Sequence, residues 1–332
     1  MIDELFDFPF YKWEEKLKNK PFLKQPFGDL WENYTWEQVG NMARKLSTGL
    51  KSMGLPEKSH IGLVSKNCRE WIIADLAISM SGHISVPFFP TLKSYEIEKL
   101  LDFGDVSALF VGKLENWEEM KQGVRDDMPI IAFPHYKDHS KISEGKQWYD
   151  FINEFDAQTE DFKPKLKDIW TIIFTSGTTG DPKGVVLTYE TLYNTKRITE
   201  DGNPLKVDFS GNNDFISYMP LNHIFERVVI EHSAFRFGGT ISFVESLETF
   251  GQNLNDVKPT AFQGVPRIYS KFQEKILMKM SQKKLSTLLK IPIISFILKK
   301  KLRGALGMSR VRSLVTGAAA MPLELLDWYK SI

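Results

Sequence analysis

The chain has 332 residues, 42% hydrophobic and 26% charged, which is enough for one large domain or two medium ones around a substantial core. Lys and Arg number 43 against 42 Asp and Glu, so no global field exists to recruit nucleic acid or a strongly acidic partner. Cys68 is the one cysteine, which excludes an intrachain disulfide framework and points to a reducing compartment.

The first sixteen residues, MIDELFDFPFYKWEEK, place acidic side chains before any apolar run and do not read as a secretory signal, so the expected location is cytoplasmic. Asn33-Tyr34-Thr35 fits the glycosylation sequon formally and, without secretion, reads as chance. Thr35 to Gln38 has the spacing of a capping box and predicts a helix to about Met53, stopped by Gly54-Leu55-Pro56. Strand is expected at 60–64, helix at 69–81 with Gly82 as its stop, strand at 85–88, helix at 96–103 and strand at 106–111. Strands and helices alternating over short connections predict parallel sheet covered by helices.

Residues 112–167 are rich in Asp, Glu, Lys and Pro, with one buried-looking strand at 129–133, and read as loops joining two layers. His135 and His139 lie here at a spacing that can bind zinc on a helix, but Pro134 and the surrounding charge favour a surface loop, and no metal is assigned. The alternation then resumes. Strands are expected at 169–175, 184–188, 214–218, 239–243, 261–262 and 311–315, and helices at 189–199, 224–237, 266–280 and from Pro322 onward. The predicted fold class is α/β: two related layers of mostly parallel sheet flanked by helices, roughly 1–111 and 168–332. No short fixed repeat is present, which excludes a solenoid.

The segment that carries chemistry is 171–184, TIIFTSGTTGDPKG. An apolar, β-branched strand runs into a loop of hydroxyls and glycines, then Lys183 and a second strand. Gly177, Gly180 and Gly184 permit tight turns and close approach of a ligand. Thr175, Ser176, Thr178 and Thr179 add hydroxyl donors, and Lys183 adds positive charge, a combination suited to holding a polyphosphate. It is not a Walker A loop, because Lys183 is followed by Gly184 and a strand rather than by Ser or Thr and a helix. The plainer reading, a polar hairpin turn, leaves the lysine and the density of hydroxyls unexplained.

TSGTTGDPKG resembles the phosphate-loop motif of the adenylate-forming superfamily, which includes acyl-CoA synthetases, luciferases and peptide-synthetase adenylation domains. The resemblance extends upstream through Tyr34-Thr35-Trp36 and through Ile61, Trp71, Asp75, Gly82, Pro87 and Pro90. Downstream, 219–227 (MPLNHIFER) is similar to the acyl-CoA synthetase form of the next motif. GVPRIY at 264–269 and KLRGALG at 301–307 resemble the long-chain branch, and TGAAAMP at 316–322 resembles the loop that lies against the adenylate.

The resemblance implies a ligase that joins a medium- or long-chain fatty acid to ATP as an acyl-adenylate and then to coenzyme A. It implies Thr175, Ser176, Gly177, Thr178, Thr179, Gly180 and Lys183 on the β- and γ-phosphates, with Mg²⁺ carried by the phosphates. Gly317, Ala318 and Ala319 would lie against the adenine and the acyl head, and His223 near the acyl-adenylate. The competing readings are a hydrogen-bonded structural histidine for His223, a tight strand-to-helix turn for 317–319 and a structural ion pair for Glu226 and Arg227. Arg267 is given no catalytic role, and the formal S-x-x-K at Ser281–Lys284 reads as chance.

The apolar-leaning run 285–298 is too short to span a bilayer, which takes roughly 20 residues. The lysines and arginines around it read first as a solvated helix face, with a membrane-surface patch as the sharper alternative. Members of the resembled family continue to a Mg²⁺-binding glutamate, a hinge and a small C-terminal domain with a catalytic lysine. These motifs are not found in 1–332, so this chain alone is expected to be inactive. The alternatives are a non-catalytic nucleotide- or acyl-binding module, part of an acyl-AMP ligase, or a luciferase-like oxygenase.

Overall fold

The computed structural model describes residues 5–175, 182–200 and 202–332, except for the side chains of 196–199. α1 (Phe10–Lys16) buries Phe10 and Trp13, and the Trp13 indole N–H donates to the Arg236 carbonyl at 2.7 Å. β1 (Pro21–Phe27) and β2 (Leu30–Thr35) form an antiparallel pair. α2 (Trp36–Ser52) starts at the expected capping box: Gln38 N–H donates to the Thr35 hydroxyl at 3.2 Å, and Thr35 N–H to the Gln38 side chain at 2.8 Å. Its stripe of Trp36, Val39, Ala43, Leu46 and Leu50 is buried, with Trp36 stacked on Phe22.

The predicted alternation follows closely. β3 (His60–Val64), α3 (Arg69–Ser81), β4 (Ile84–Phe88), α4 (Ser94–Phe103) and β5 (Val106–Val111) succeed one another with short links. α3 is buried on nearly every side, and Gly82 at φ 80° closes it in the left-handed conformation that glycine adopts without steric cost.

The segment 112–167 is more structured than expected. It contains α5 (Trp117–Met120), β6 (Ile130–Ala132), β7 (Lys146–Gln147) and α6 (Trp148–Asn153). The charged composition conceals the apolar residues that fold it, since Trp117, Met120, Trp148, Phe151 and Ile152 are all buried. His135 and His139 do lie in a loop there, with a ring nitrogen of His135 3.0 Å from the His139 carbonyl.

β8 (Ile169–Thr175) and β9 (Lys183–Thr188) are followed by α7 (Tyr189–Glu200) and β10 (Asp214–Ser217). The helix expected over 224–237 is broken into α8 (Ile224–Glu226), a π-helical turn at Arg227–Glu231, and α9 (His232–Phe237). Then come β11 (Thr240–Phe243), α10 (Phe250–Val257), β12 (Ala261–Gly264) and α11 (Pro266–Lys279). The apolar run 285–298 divides at Ile291-Pro292 into α12 (Gln282–Leu289) and α13 (Pro292–Ala305). β13 (Ser313–Thr316) and α14 (Leu323–Ser331) complete the described chain. Ser281 and Lys284 are the N-cap and third residue of α12, a capping role rather than a catalytic pair.

Three sheets result. The largest has the order β7-β6-β5-β3-β4-β8-β9 and is parallel except for its last pair. A second has the order β10-β11-β1-β2, and the third pairs β12 with β13 in parallel. The fold is thus the expected α/β class with mixed, mostly parallel sheets. The two layers do not part at 112–167, however. β8 and β9 extend the sheet of the first half, and β1 runs parallel to β11 in the sheet of the second. Sequence order could not show this exchange, because β1 and β11 are more than 200 residues apart.

Candidate functional site

β8 carries the chain out of the core. Trp170 to Phe174 are buried, and Thr175 emerges exposed at the strand's C-terminal end. In the antiparallel register Thr175 sits opposite Lys183, also exposed, so the first and last residues of the predicted phosphate loop are cross-strand neighbours. Ser176, Gly177, Thr178, Thr179 and Gly180 lie outside the described residues. Gly184 has a packing reason of its own: a Cβ there would stand 3.1 Å from the Ile172 side chain and 3.3 Å from the Phe174 ring.

A second group of candidates gathers where β10, β12 and β13 end. Because β12 and β13 are parallel, with Gly264 opposite Thr316, the chain leaves both strands on the same side. After β13 come Gly317 and then Ala318, held at φ 62°, where a side chain is strained. A Cβ at Gly317 would stand 2.5 Å from the ring of Phe225, so the 317–319 turn packs directly on the residue two positions after His223.

His223 is exposed and caps α8, its Nδ1 accepting the Phe225 N–H at 3.2 Å. That bond selects the neutral tautomer with the proton on Nε2, which makes Nε2–H a donor toward whatever occupies the adjoining space.

Beneath these residues lies a buried polar frame. Asn67, just beyond β3, donates to the Ser217 hydroxyl at 2.8 Å and the Met219 carbonyl at 2.6 Å, and accepts the Leu221 N–H at 3.0 Å. One amide side chain therefore fastens the end of the large sheet to the end of β10. Glu226 is fully buried and accepts the Tyr218 N–H at 3.0 Å, with Gln263 from β12 at 3.5 Å. Burial pushes its carboxyl up to about 8, although hydrogen bonds from Ser217 and Tyr218 oppose the rise.

Glu226 and Arg227 do not pair with each other, as one sequence reading proposed. Arg227, fully buried, reaches instead to Asp75 on α3 at 2.5 Å, Glu231 at 3.2 Å and the Thr171 hydroxyl on β8 at 2.8 Å. Its guanidinium also lies over Trp170 at 4.1 Å. Glu231 is pushed well up by burial and then by the charge of Asp75, a shift that favours its neutral form beside a second buried carboxyl. This network accounts for the π-turn: Arg227 and Glu231 both face inward within one widened turn. It also ties the helix after His223 to the strand that leads into the predicted phosphate loop.

Asn67, Gln263 and Phe225 were not singled out from the sequence. The usable signal was position, since Asn67 and Gln263 are polar residues at or just past the C-terminal ends of apolar strands, where α/β sheets gather their polar contacts.

The AMP-binding enzyme family model matches residues 10–332. The chain belongs to the AMP-binding enzyme family. A long-chain-fatty-acid–CoA ligase of Xenopus laevis is 26% identical, over 92% of this chain and 46% of its own length. Long chain acyl-CoA synthetase 1 of Arabidopsis thaliana is 28% identical, over 91% of this chain and 50% of its own. The chain thus spans about half the length of these curated relatives. Among solved structures, an anthranilate CoA ligase in complex with anthranoyl-AMP superposes with a TM-score of 0.76 at 19% identity, over 98% of this chain and 58% of that one. ATP-bound MatB from Rhodopseudomonas palustris gives 0.70 at 16% identity, over 97% and 57%. At such identities these superpositions establish the shared fold of the AMP-binding enzymes. Among the described residues no helix is long and apolar enough to cross a membrane.

Proposed function

We propose that this chain holds ATP and a fatty acid for an acid–thiol ligase that makes an acyl-adenylate and passes the acyl group to coenzyme A. Two observations support the reading within a chain of the AMP-binding family: Thr175 and Lys183 face each other on one hairpin, and Gly317 packs on Phe225 beside His223 in a segment that Arg227 ties to the strand of that hairpin. The similarity to long-chain acyl-CoA synthetases supports a medium- or long-chain acid.

In the proposed reaction a carboxylate oxygen bonds to the α-phosphorus of ATP and pyrophosphate departs. The thiol of coenzyme A then attacks the acyl carbonyl, and AMP leaves. Both steps bring anions together, so the protein's contribution is positioning and oriented donors. Lys183 and the loop residues Thr175, Ser176, Gly177, Thr178, Thr179 and Gly180 are assigned to the β- and γ-phosphates. Mg²⁺ would arrive on those phosphates and neutralise part of their charge. Ala318 and Ala319, short and exposed, leave room beside Gly317 for the adenine and the acyl head. His223 is assigned a donor role: Nε2–H, fixed by the Nδ1 cap, hydrogen-bonds an oxygen of the acyl-adenylate.

Titration calorimetry with ATP–Mg²⁺ tests the central assignment. The wild-type chain is expected to bind, and Lys183→Ala to weaken binding by about tenfold or more, the loss of one charge-assisted contact. Absence of binding by the wild type, or unchanged affinity in Lys183→Ala, would leave a vestigial module and overturn the proposal.

A further inference from the structure

The near-neutral total charge conceals a strong segregation. Residues 275–323 contain 11 of the 43 Lys and Arg and none of the 42 Asp and Glu. Of these cations, Arg310 alone has a carboxylate partner among the described residues, Asp214 at 2.7 Å. The other ten have no carboxylate partner among the described residues.

The same stretch carries an apolar surface. α12 and α13 form a hairpin whose inner side chains, Leu285, Leu289, Leu298 and Leu302, pack with Ile276 and Trp328 in a small core. No residue of α13 is fully buried. Its outer row runs Ile293, Phe296, Ile297 and Lys300, the i, i+3, i+4, i+7 spacing of one helix face. Ile293 is 77% exposed, Phe296 72% and Ile297 58%, a contiguous apolar row that a merely solvated helix does not need. Lys299, Lys300, Lys301 and Arg303 follow in the last turns, where the helix dipole also favours cations.

We propose that α13 is a docking surface for an anionic lipid membrane, with Ile293, Phe296 and Ile297 entering the acyl boundary and the lysines meeting headgroup phosphates. The charge complementarity selects an anionic partner, and the apolar row selects a bilayer over nucleic acid, because those side chains would strip water from phosphates without replacing its hydrogen bonds, whereas an acyl boundary buries them at no such cost. Long lysine stems suit this role, since they cover apolar surface while their ammonium groups reach the headgroups. The inference requires no assignment of substrate and stands apart from the proposed reaction.

Co-sedimentation with phosphatidylcholine vesicles, with and without phosphatidylglycerol, tests it. Two variants are needed: Phe296→Glu with Ile297→Glu, and Lys299→Gln with Lys300→Gln and Lys301→Gln. All five positions are exposed or half-buried without polar side-chain partners among the described residues, and unchanged circular dichroism checks that each variant folds. The wild type is expected to sediment with the anionic vesicles, and added salt should weaken it. The apolar variant should lose at least about tenfold in binding, and the lysine variant roughly fivefold per charge removed. Failure of the wild type to bind anionic vesicles overturns the proposal, as does undiminished binding by both variants. Concentration-dependent self-association or duplex binding abolished by these variants, with no vesicle binding, would reassign the face and likewise overturn it.

Discussion

Glu226 offers the sharpest quantitative test of the buried frame, through the substitution Glu226→Gln. In the folded chain burial raises its carboxyl from 4.5 to about 8, while in the unfolded chain it ionises near the ordinary value. Between those values the unfolded state has released a proton that the folded state keeps. Stability therefore falls as pH rises, with a slope of up to about 1.4 kcal/mol per pH unit. The contribution is fully present below pH 4.5 and lost by the time pH has passed 8. Across that window the loss amounts to roughly 3 to 5 kcal/mol.

Glutamine has the same shape, and its amide oxygen can accept the Tyr218 N–H at the position of Oε1. It does not titrate. The contact with Gln263, already 3.5 Å long, is put at risk, a cost of about 1 kcal/mol. Urea unfolding of both proteins at pH 5, 7 and 9 is the assay, and titrations common to both cancel in the difference. The two proteins should differ by no more than about 1 kcal/mol at pH 5, and the variant should be more stable by several kcal/mol at pH 9. A difference that does not change with pH would show that Glu226 is already ionised when folded and would refute the reasoning.

Two further outcomes follow from the same region. Arg227→Met should destabilise the chain by about 3 to 5 kcal/mol, because it leaves Asp75 buried without its cation; a thermal-melt series with Asp75→Asn, expected to recover part of the loss in the double variant, checks it. Gly317→Ala should cost about 1 to 3 kcal/mol through the 2.5 Å clash with Phe225 and should be relieved when Phe225→Ala is added, again read by melting.

Local signals made much of the scaffold legible. The helix at Arg69–Ser81 was readable because Gly82 supplies a left-handed stop, and α2 because Thr35 and Gln38 cap each other. β1 was not readable: Pro21 and Pro26 suppress a strand reading, and its partner β11 comes from the far end of the chain. The π-turn escaped for a related reason. Arg227 and Glu231 have the spacing of a surface pair, and only the approach of Asp75 from α3 turns both inward.

The candidate site shows why motif residues could be named while their support could not. Loop 175–183, His223 and 317–319 each follow the C-terminal end of a strand that runs parallel to a neighbour, the end of a sheet where α/β folds gather their polar contacts. Motif position therefore marks one end of each sheet. The side chains that hold those ends in register have no such rule. Asn67 spans from β3 to the segment after β10, and Arg227 spans from the helix after His223 to β8 and α3. Both act across sheet boundaries that only the folded chain creates. Because Arg227 binds the strand feeding the proposed phosphate loop and adjoins the helix capped by His223, a change there should act on stability and on the alignment of the proposed site together.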